Sequence, residues 1–212
     1  MIWLSNTDIT FPTLDYVNED GILALGGDLS PSRLKLAYKN GIFPWYSEGE
    51  PIIWYSPDPR MVLFLDQLKV SKSMQRILKK EIFTITFNQN FEEVIANCKS
   101  IDRDDGLGTW ITDDMQKAYI ALHKQGIAKS VEVWQNGELV GGLYGIDLGD
   151  VFCGESMFSK ISNASKIAFV HLAKKLKAEN YKLLDCQVYN DHLASLGAEE
   201  ITRELFLQVL KR

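Results

Sequence analysis

The segment 130–158 reads SVEVWQ, NG, ELVGGLYGI, DLGD and VFCGESMF, and it decides the fold class. Apolar and polar residues alternate through 130–135, and Asn136-Gly137 is a strong signal for a tight hairpin turn. A second turn is predicted at 147–150, where Asp and Gly interrupt the apolar residues. The pattern therefore predicts an antiparallel meander with strands at 130–135, 138–146 and 151–158.

Further elements are predicted on both sides of the meander from apolar periodicity, capping residues and turn residues. They are helices at 71–80, 90–98, 113–125, 163–179, 190–196 and 203–211, strands at 83–88 and 182–188, and an Asp- and Gly-rich loop at 102–108. Thr112 is predicted to cap the helix at 113–125. A meander, a long helix and another strand resemble the N-acetyltransferase (GNAT) fold. In that fold the last strand lies beside the meander and separates from it to form the active-site cleft.

The first part of the chain differs in composition, because residues 1–62 hold all six prolines. Ser30 is predicted to cap a short helix that begins at Pro31 and is stopped by Gly41. Short extended segments are predicted at 42–46 and 52–55, each bounded by turn residues. We therefore predict an α+β fold with two parts. A small N-terminal domain, 1–62, precedes a GNAT-like acyltransferase domain, 63–212, with a mixed, mostly antiparallel sheet.

The composition narrows the class of protein. The chain has 212 residues with 46% apolar content, enough for a substantial core, and no apolar run long enough to cross a bilayer. The three cysteines form no CxxC pair, the three histidines are scattered, and residues 1–10 lack the pattern of a secretion signal. We expect a cytoplasmic monomer with reduced thiols, no membrane contact, no metal and no cofactor.

Positive charge is concentrated on one predicted helix. Although the net charge is −5, residues 69–80 contain five basic side chains and no acidic one. Helical spacing brings four of them to one face. That face is either an ordinary solvated surface or a contact for a phosphate backbone. Its residues are Lys72, Arg76, Lys79 and Lys80.

Polar residues interrupt two runs that otherwise predict buried strands. Asp185 and Gln187 are two residues apart on one strand, so we expect them to share a face. By the same rule Glu155 should share its face with Cys153 and Met157. Both strands flank the long helix, and the three polar side chains could meet in one cleft. The pattern alone equally allows Asp185 and Gln187 to form the solvated face of an edge strand.

Two further features concern the acyl donor. Trp45 and Trp110 lie in predicted loops, where a Trp side chain either packs beneath the loop or forms a platform for a base. The loop 159–164, SKISNA, contains no glycine, although coenzyme A-dependent acetyltransferases wrap a pyrophosphate with glycines there. The fold predicts acyl transfer, whereas the loop argues against acyl-CoA as the donor.

Many separate runs, in the same order, resemble the bacterial leucyl/phenylalanyl-tRNA–protein transferases over about residues 20–210. They are GILALGGDLSP (21–31), GIFPW (41–45), WYSPDPR (54–60), GTWIT (108–112), SVEVW (130–134), VGGLYG (140–145), FCGESMFS (152–159) and DCQ (185–187). The resemblance implies transfer of Leu or Phe, and less well Met, from aminoacyl-tRNA to the N-terminal amine of proteins beginning with Arg or Lys. Proteins modified in this way are marked for degradation.

The resemblance also implies roles for individual residues. It implies that Trp45 and Trp110 stack on the terminal adenosine of the tRNA. The apolar pocket for the donor side chain would be lined by Leu143, Met157, Leu172 and Leu184. The catalytic set is Asp185, Gln187 and Glu155, with Glu155 contacting the aminoacyl amine and with Tyr119 and Asn190 in support. The residues that would contact the tRNA backbone are Lys72, Arg76, Lys79 and Lys80.

The chemistry is consistent with this set, because an ester donor and an amide product need neither ATP nor metal. An amide side chain is almost non-basic, so Gln187 is predicted to accept a hydrogen bond from the attacking amine and orient it. Asp185 is predicted to polarise Gln187, while the proton leaves through the terminal ribose hydroxyl or water.

Three other functions remain open from the sequence. An acyl-CoA-dependent GNAT N-acetyltransferase would share the fold but needs the missing glycine loop. A peptidoglycan-type aminoacyl transferase also uses aminoacyl-tRNA but is usually larger. A non-catalytic tRNA-binding module would need the basic helix and the two tryptophans but not Asp185, Gln187 and Glu155.

Overall fold

The predicted helices and strands are present in the computed structural model, which describes residues 1–101 and 110–211. The strands are β1 Ile2–Leu4, β2 Ile22–Gly26, β3 Phe43–Pro44, β4 Ile53–Tyr55, β5 Arg60–Phe64, β6 Thr84–Phe87, β7 Ala128–Gln135, β8 Glu138–Asp147, β9 Val151–Ser159, β10 Leu183–Gln187 and β11 Glu199–Ile201. The helices are α1 Pro31–Lys39, α2 Lys72–Lys79, α3 Phe91–Ser100, α4 Asp113–Lys124, α5 Ala164–Ala178, α6 Asp191–Ser195 and α7 Arg203–Leu210. The loop predicted at 102–108 lies outside the described residues.

Local sequence signals position the helices as expected. The Ser30 hydroxyl accepts a hydrogen bond from the Arg33 amide at the start of α1, and the Thr112 hydroxyl accepts one from the Met115 amide at the start of α4. These side chains satisfy amide groups that have no partner within the helix. Both predicted N-caps are confirmed.

The described residues form two sheets. A small sheet has the order β1-β2-β4-β3, and a larger sheet has the order β11-β5-β10-β9-β8-β7-β6. The meander β7-β8-β9 is antiparallel, as predicted, whereas β10 runs parallel to β9 after the crossover through α5. The chain therefore has the predicted α+β, GNAT-like arrangement, with a mixed and mostly antiparallel sheet.

Four short strands were not predicted: β1, β2, β5 and β11. Each has three to five residues, too few to show a period of two clearly. β5 begins with a buried Arg60, and β11 is largely acidic and exposed, so neither has the composition of a typical strand.

The larger sheet carries apolar clusters on its two faces. One cluster packs around α5, and the other joins the sheet to α1, α3, α4 and α7. The predicted boundary between 1–62 and 63–212 falls inside β5, which pairs with β10 in this sheet. The division of the chain into two domains stays a prediction. Among residues 1–101 and 110–211, no helix combines the length and apolar character needed to cross a bilayer.

Candidate active site

The cleft forms where β9 and β10 separate. The two strands pair from Leu183 with Val151 up to Asp185 with Cys153, and the pairing ends there. Each strand has a β-bulge immediately beyond this point. In β9 the extra residue is Glu155, and in β10 it is Cys186. Bulges re-aim side chains and end regular pairing, so the two irregularities together open the sheet.

A cavity of about 560 Å³ fills this opening. It is enclosed by β8, β9, β10, α5, α6 and the loops that carry the two tryptophans. Most of the residues proposed from the sequence line it. They are Trp45, Trp110, Leu143, Glu155, Met157, Leu172, Leu184, Gln187 and Asn190.

Glu155 is held by hydrogen bonds from several elements. Its Oε1 accepts a bond of 2.8 Å from Gln187 Nε2, and its Oε2 accepts one of 3.0 Å from the Tyr119 hydroxyl. Tyr119 in turn shares a short hydrogen bond with the hydroxyl of Tyr38 on α1. Burial raises the pKa of the Glu155 carboxyl to about 7, although its hydrogen bonds with Tyr38, Tyr119 and Gln187 lower it.

Asp185 lies behind the cavity wall and is fully buried. Its two oxygens accept hydrogen bonds from Arg60 Nε and Nη2, at 2.8 and 2.7 Å. Oδ1 also accepts the backbone N–H of Gln187 at 3.0 Å. The contact between Asp185 and Gln187 is thus made through the backbone, and the carboxylate is paired with a cation that the sequence pattern did not reveal.

The predicted strand faces need correction at the two bulges. Met157 packs in the cluster around α5, whereas Cys153 belongs to the other cluster, so these two residues do not share a face. Gln187 has a φ of 65°, a backbone conformation that side-chain-bearing residues rarely adopt. Simple alternation therefore fails at Gln187, although its side chain still reaches Glu155 from the neighbouring strand.

The apolar part of the cavity is continuous with the cluster around α5. Leu143, Leu172 and Leu184 are almost fully buried, and Met157 is partly exposed beside them. Phe169 on α5, which sequence reasoning did not single out, also lines this part. A side chain entering here would exchange water for an apolar surround.

The two tryptophans lie on the cavity wall in different environments. Trp45 is 41% exposed, and its ring is tilted against Tyr55 at a centroid distance of 5.7 Å. Trp110 is partly buried and packs against the core. An aromatic ring left so exposed at a cavity mouth is available for stacking.

The remaining proposed residues lie around the cavity or away from it. Tyr119 is buried behind Glu155 and does not line the cavity. The Asn190 side chain caps α6 by accepting the Leu193 amide. Helix α2 buries Met74, whereas the four proposed cations, three on the helix and the fourth at its C-cap, are exposed and lie away from the cavity lining: Lys72, Arg76, Lys79 and Lys80.

Sequence reasoning missed Arg60 and Tyr38, which organise the site from the N-terminal part of the chain. Arg60 donates to Gly41 O, and its guanidinium lies between the rings of Phe43 and Phe206, at 4.8 and 4.6 Å. Arg60 is the last residue of the run 54–60, one of those that resemble the transferase family, and this position was the sequence signal that could have identified it. Tyr38 has no such signal, because it reads as an ordinary apolar position of α1.

Known proteins of one family are similar to this protein along most of the chain. A family model described as leucyl/phenylalanyl-tRNA protein transferase matches residues 62–211, and a model described as the N-terminal domain of the same proteins matches residues 27–58. Proteins named leucyl/phenylalanyl-tRNA–protein transferase are similar over almost their whole length. The one from Flavobacterium johnsoniae is 67% identical, and the similarity covers 96% of each chain. The one from Flavobacterium psychrophilum is 60% identical, with 97% of both chains covered.

Solved structures show more distant likeness. FemX has a TM-score of 0.49 at 12% identity, with 85% of this chain and 70% of that chain covered. A GCN5-related N-acetyltransferase from Kribbella flavida has a TM-score of 0.44 at 10% identity, covering 80% of this chain and 60% of that chain.

Proposed function

The chain belongs to the leucyl/phenylalanyl-tRNA protein transferase family, and we propose that it transfers Leu or Phe, and less well Met, from aminoacyl-tRNA to proteins. The acceptor in this proposal is the N-terminal amine of a protein that begins with Arg or Lys, which is thereby marked for degradation. The observation that carries the proposal is the cavity where β9 and β10 separate, because an apolar pocket, two tryptophans and a Glu155–Gln187 pair meet there.

In this proposal the donor occupies most of the cavity. The terminal adenosine of the tRNA stacks on Trp45 and Trp110, and the aminoacyl side chain enters the apolar part. That part is lined by Leu143, Met157, Leu172 and Leu184. One methylene in such a pocket changes binding by only about 1–3 kcal/mol, so Ile and Val must be excluded by their branch at Cβ. Met fits because its side chain is unbranched and flexible.

The acceptor amine approaches from the side of Gln187. Because Gln187 Nε2 already donates to Glu155, its Oε1 is the atom oriented to accept a hydrogen bond from the amine. Asp185 supports this orientation indirectly, since its carboxylate holds the backbone N–H of Gln187. We assign Asp185 a positioning role rather than contact with substrate.

The reaction exchanges an ester for an amide, so the energy comes from the donor. An α-amine has an unperturbed pKa of about 7.7–8, and an appreciable fraction is neutral near pH 7. The main task of the site is to hold the amine against the ester carbonyl, with proton transfer and oxyanion stabilisation adding to the rate. We propose that the protein does this as a monomer in the cytoplasm.

A transfer assay tests the proposal. The protein is incubated with radiolabelled Leu-tRNA and a protein that begins with Arg, and in parallel with the same protein beginning with Met. We expect label in the Arg-initiated protein and none in the Met-initiated control. Absence of label from both would contradict the proposed function, and equal labelling of both would contradict the proposed acceptor.

The four exposed cations of α2 supply the proposed contact with the tRNA backbone. Replacing all four with Ala should weaken tRNA binding and make it less dependent on salt. The slope of log K against the logarithm of the salt concentration should become shallower by about 0.9 for each duplex phosphate that is no longer neutralised. The rate at saturating tRNA should change little, because α2 lies outside the cavity. Binding titrations at several salt concentrations measure both effects.

A matched control removes the same number of positive charges elsewhere. Lys117 and Lys124 on α4 and Lys174 and Lys177 on α5 are all exposed. Their replacement with Ala should leave the salt dependence close to that of the unmodified protein. An equal loss of affinity in both variants would show that overall charge, rather than the position of α2, determines tRNA binding.

A further inference from the structure

Glu155 is the only carboxylate that lines the cavity within residues 1–101 and 110–211. It projects from the bulge of β9 towards the gap between β9 and β10, where Gln187 meets it. Asp185, the other acidic group nearby, is fully buried with both oxygens on Arg60. Of the carboxylates in the described part of the chain, Glu155 is therefore the one within reach of a proton released inside the cavity.

We propose that Glu155 accepts the proton of the attacking α-amine and returns it to the ribose oxygen that leaves. Gln187 orients the amine and, through its amide N–H, holds Glu155 in place. This inference rests on the proposed function and deepens it, because it assigns the proton acceptor of the same reaction.

The steps balance without another reactant. The amine nitrogen attacks the ester carbonyl carbon, forming the C–N bond and a tetrahedral intermediate with a negatively charged oxygen. The nitrogen gives one proton to the Glu155 carboxylate. The carbonyl then re-forms, the bond from carbon to the ribose oxygen breaks, and the carboxylic acid protonates that oxygen. The products are an amide and a free ribose hydroxyl, and Glu155 is again a carboxylate.

The neutral groups that the structure describes around Glu155 leave its carboxylate without a cation as partner. The tyrosines on α1 and α4 have pKa values raised well above the usual range, chiefly by burial, so they remain donors. Burial likewise raises the pKa of the Cys153 thiol, which stays neutral. The charges of Asp185 and Arg60 lie nearby but are paired with each other. The facing groups are Tyr38, Tyr119, Cys153, Asp185, Gln187 and Arg60.

This environment matches the basicity of Glu155 to its task. Burial raises the pKa of its carboxyl to about 7, and the charge of Asp185 adds to the increase. A general base works best when its pKa lies near the working pH, since it is then both ionised and basic enough to take a proton. Because the folded pKa is raised, the carboxylate form, and with it the rate, increases as the pH rises through about 7.

Among the described residues of the wall, His192 is the other side chain whose unperturbed pKa lies near neutral pH. His192 lines the cavity, but its Nε2 is buried and has no hydrogen-bond partner among the described residues. Burial, and then the charge of Lys166, lower the pKa of its ring. These features leave His192 a poorer acceptor than Glu155, and a variant can separate the two.

The experiment measures single-turnover transfer from saturating Leu-tRNA to an Arg-initiated peptide across about pH 6 to 9, a range chosen to span both titrations. The wild-type rate should show two limbs, one near pH 7 and one at the pKa of the acceptor amine. Glu155→Gln should lower the rate by about 100-fold and remove the lower limb. Its affinity for Leu-tRNA should be unchanged, whereas loss of a contact with the aminoacyl amine, the role that the family resemblance implies for Glu155, would lower that affinity.

Two further variants sharpen the result. Tyr119→Phe removes a donor that lowers the pKa of Glu155, so the limb should remain and move to higher pH. Glu155→Asp should retain the limb with a reduced rate, which covers the possibility that Glu155→Gln does not fold. Glu138→Gln, an exposed position at the start of β8, is the matched control and should behave as wild type.

Several outcomes would overturn the inference. The lower limb could persist in Glu155→Gln, or it could disappear in His192→Gln instead. Loss of Leu-tRNA affinity in Glu155→Gln with an unchanged pH profile would equally reject it. Absence of transfer by the wild-type protein at every pH would instead reject the proposed function, so the two failures are distinguishable.

Discussion

Replacing Arg60 with Met is expected to lower the free energy of unfolding by about 3–5 kcal/mol, because it leaves a buried charge without a partner. Asp185 is fully buried, and Arg60 supplies both hydrogen bonds of the ion pair. The substitution also removes the guanidinium from between Phe43 and Phe206 and its bond to Gly41 O. Denaturant unfolding of the purified variant measures the change.

The double variant Arg60→Met with Asp185→Leu separates stability from function. Two apolar side chains of similar size avoid the cost of burying charge, so the double variant should recover most of the lost stability. It should not recover transfer activity. The backbone N–H of Gln187 no longer has the acceptor that Asp185 supplies, and the left-handed conformation of Gln187 depends on its surroundings.

Arg33 provides the matched control. It is also a fully buried arginine, but it lies near the small sheet and pairs with Asp28, which is one-third exposed. Arg33→Met should destabilise less, because Asp28 can be solvated, and the folded protein should transfer at the wild-type rate. Full activity in the Arg60–Asp185 double variant would contradict the positioning role, and wild-type stability of Arg60→Met would contradict the energetic argument.

The parts of the fold predicted from the sequence are those specified by local signals. Asn136-Gly137 turns the hairpin between β7 and β8, and Thr112 caps α4, since each acts over a few residues. The apolar character of strands such as β8 follows from burial on both faces. Such signals are readable in one sequence without knowledge of the rest of the molecule.

The parts not predicted depend on distant contacts. Arg60 and Asp185 are 125 residues apart, and neither local sequence indicates the other. The bulges at Glu155 and Cys186 break the period of two on which the assignment of faces relied. Since both irregularities lie at the site, strand alternation predicted which residues gather there better than it predicted which way they point.

Replacing Trp45 or Trp110 with Ala is expected to weaken the binding of aminoacyl-tRNA by about 5- to 150-fold, because stacking on a base contributes about 1–3 kcal/mol. The rate at saturating tRNA should fall much less, since neither ring belongs to the Glu155–Gln187 pair. Trp45→Phe should retain part of the affinity through its smaller ring. Trp3→Ala is the control, because Trp3 is 65% exposed and lies on β1, outside the cavity lining.

A shortened donor shows which part of the tRNA the two rings bind. Leucyl-adenosine contains the terminal nucleoside and the amino acid but lacks the tRNA backbone. Its binding should fall in the Trp45 and Trp110 variants by about the same factor as that of Leu-tRNA. It should be insensitive to the four replacements on α2, which affect only the backbone contact. If Leu-tRNA bound more weakly to the tryptophan variants while leucyl-adenosine did not, the two rings would bind another part of the tRNA, and the proposed adenosine site would be wrong.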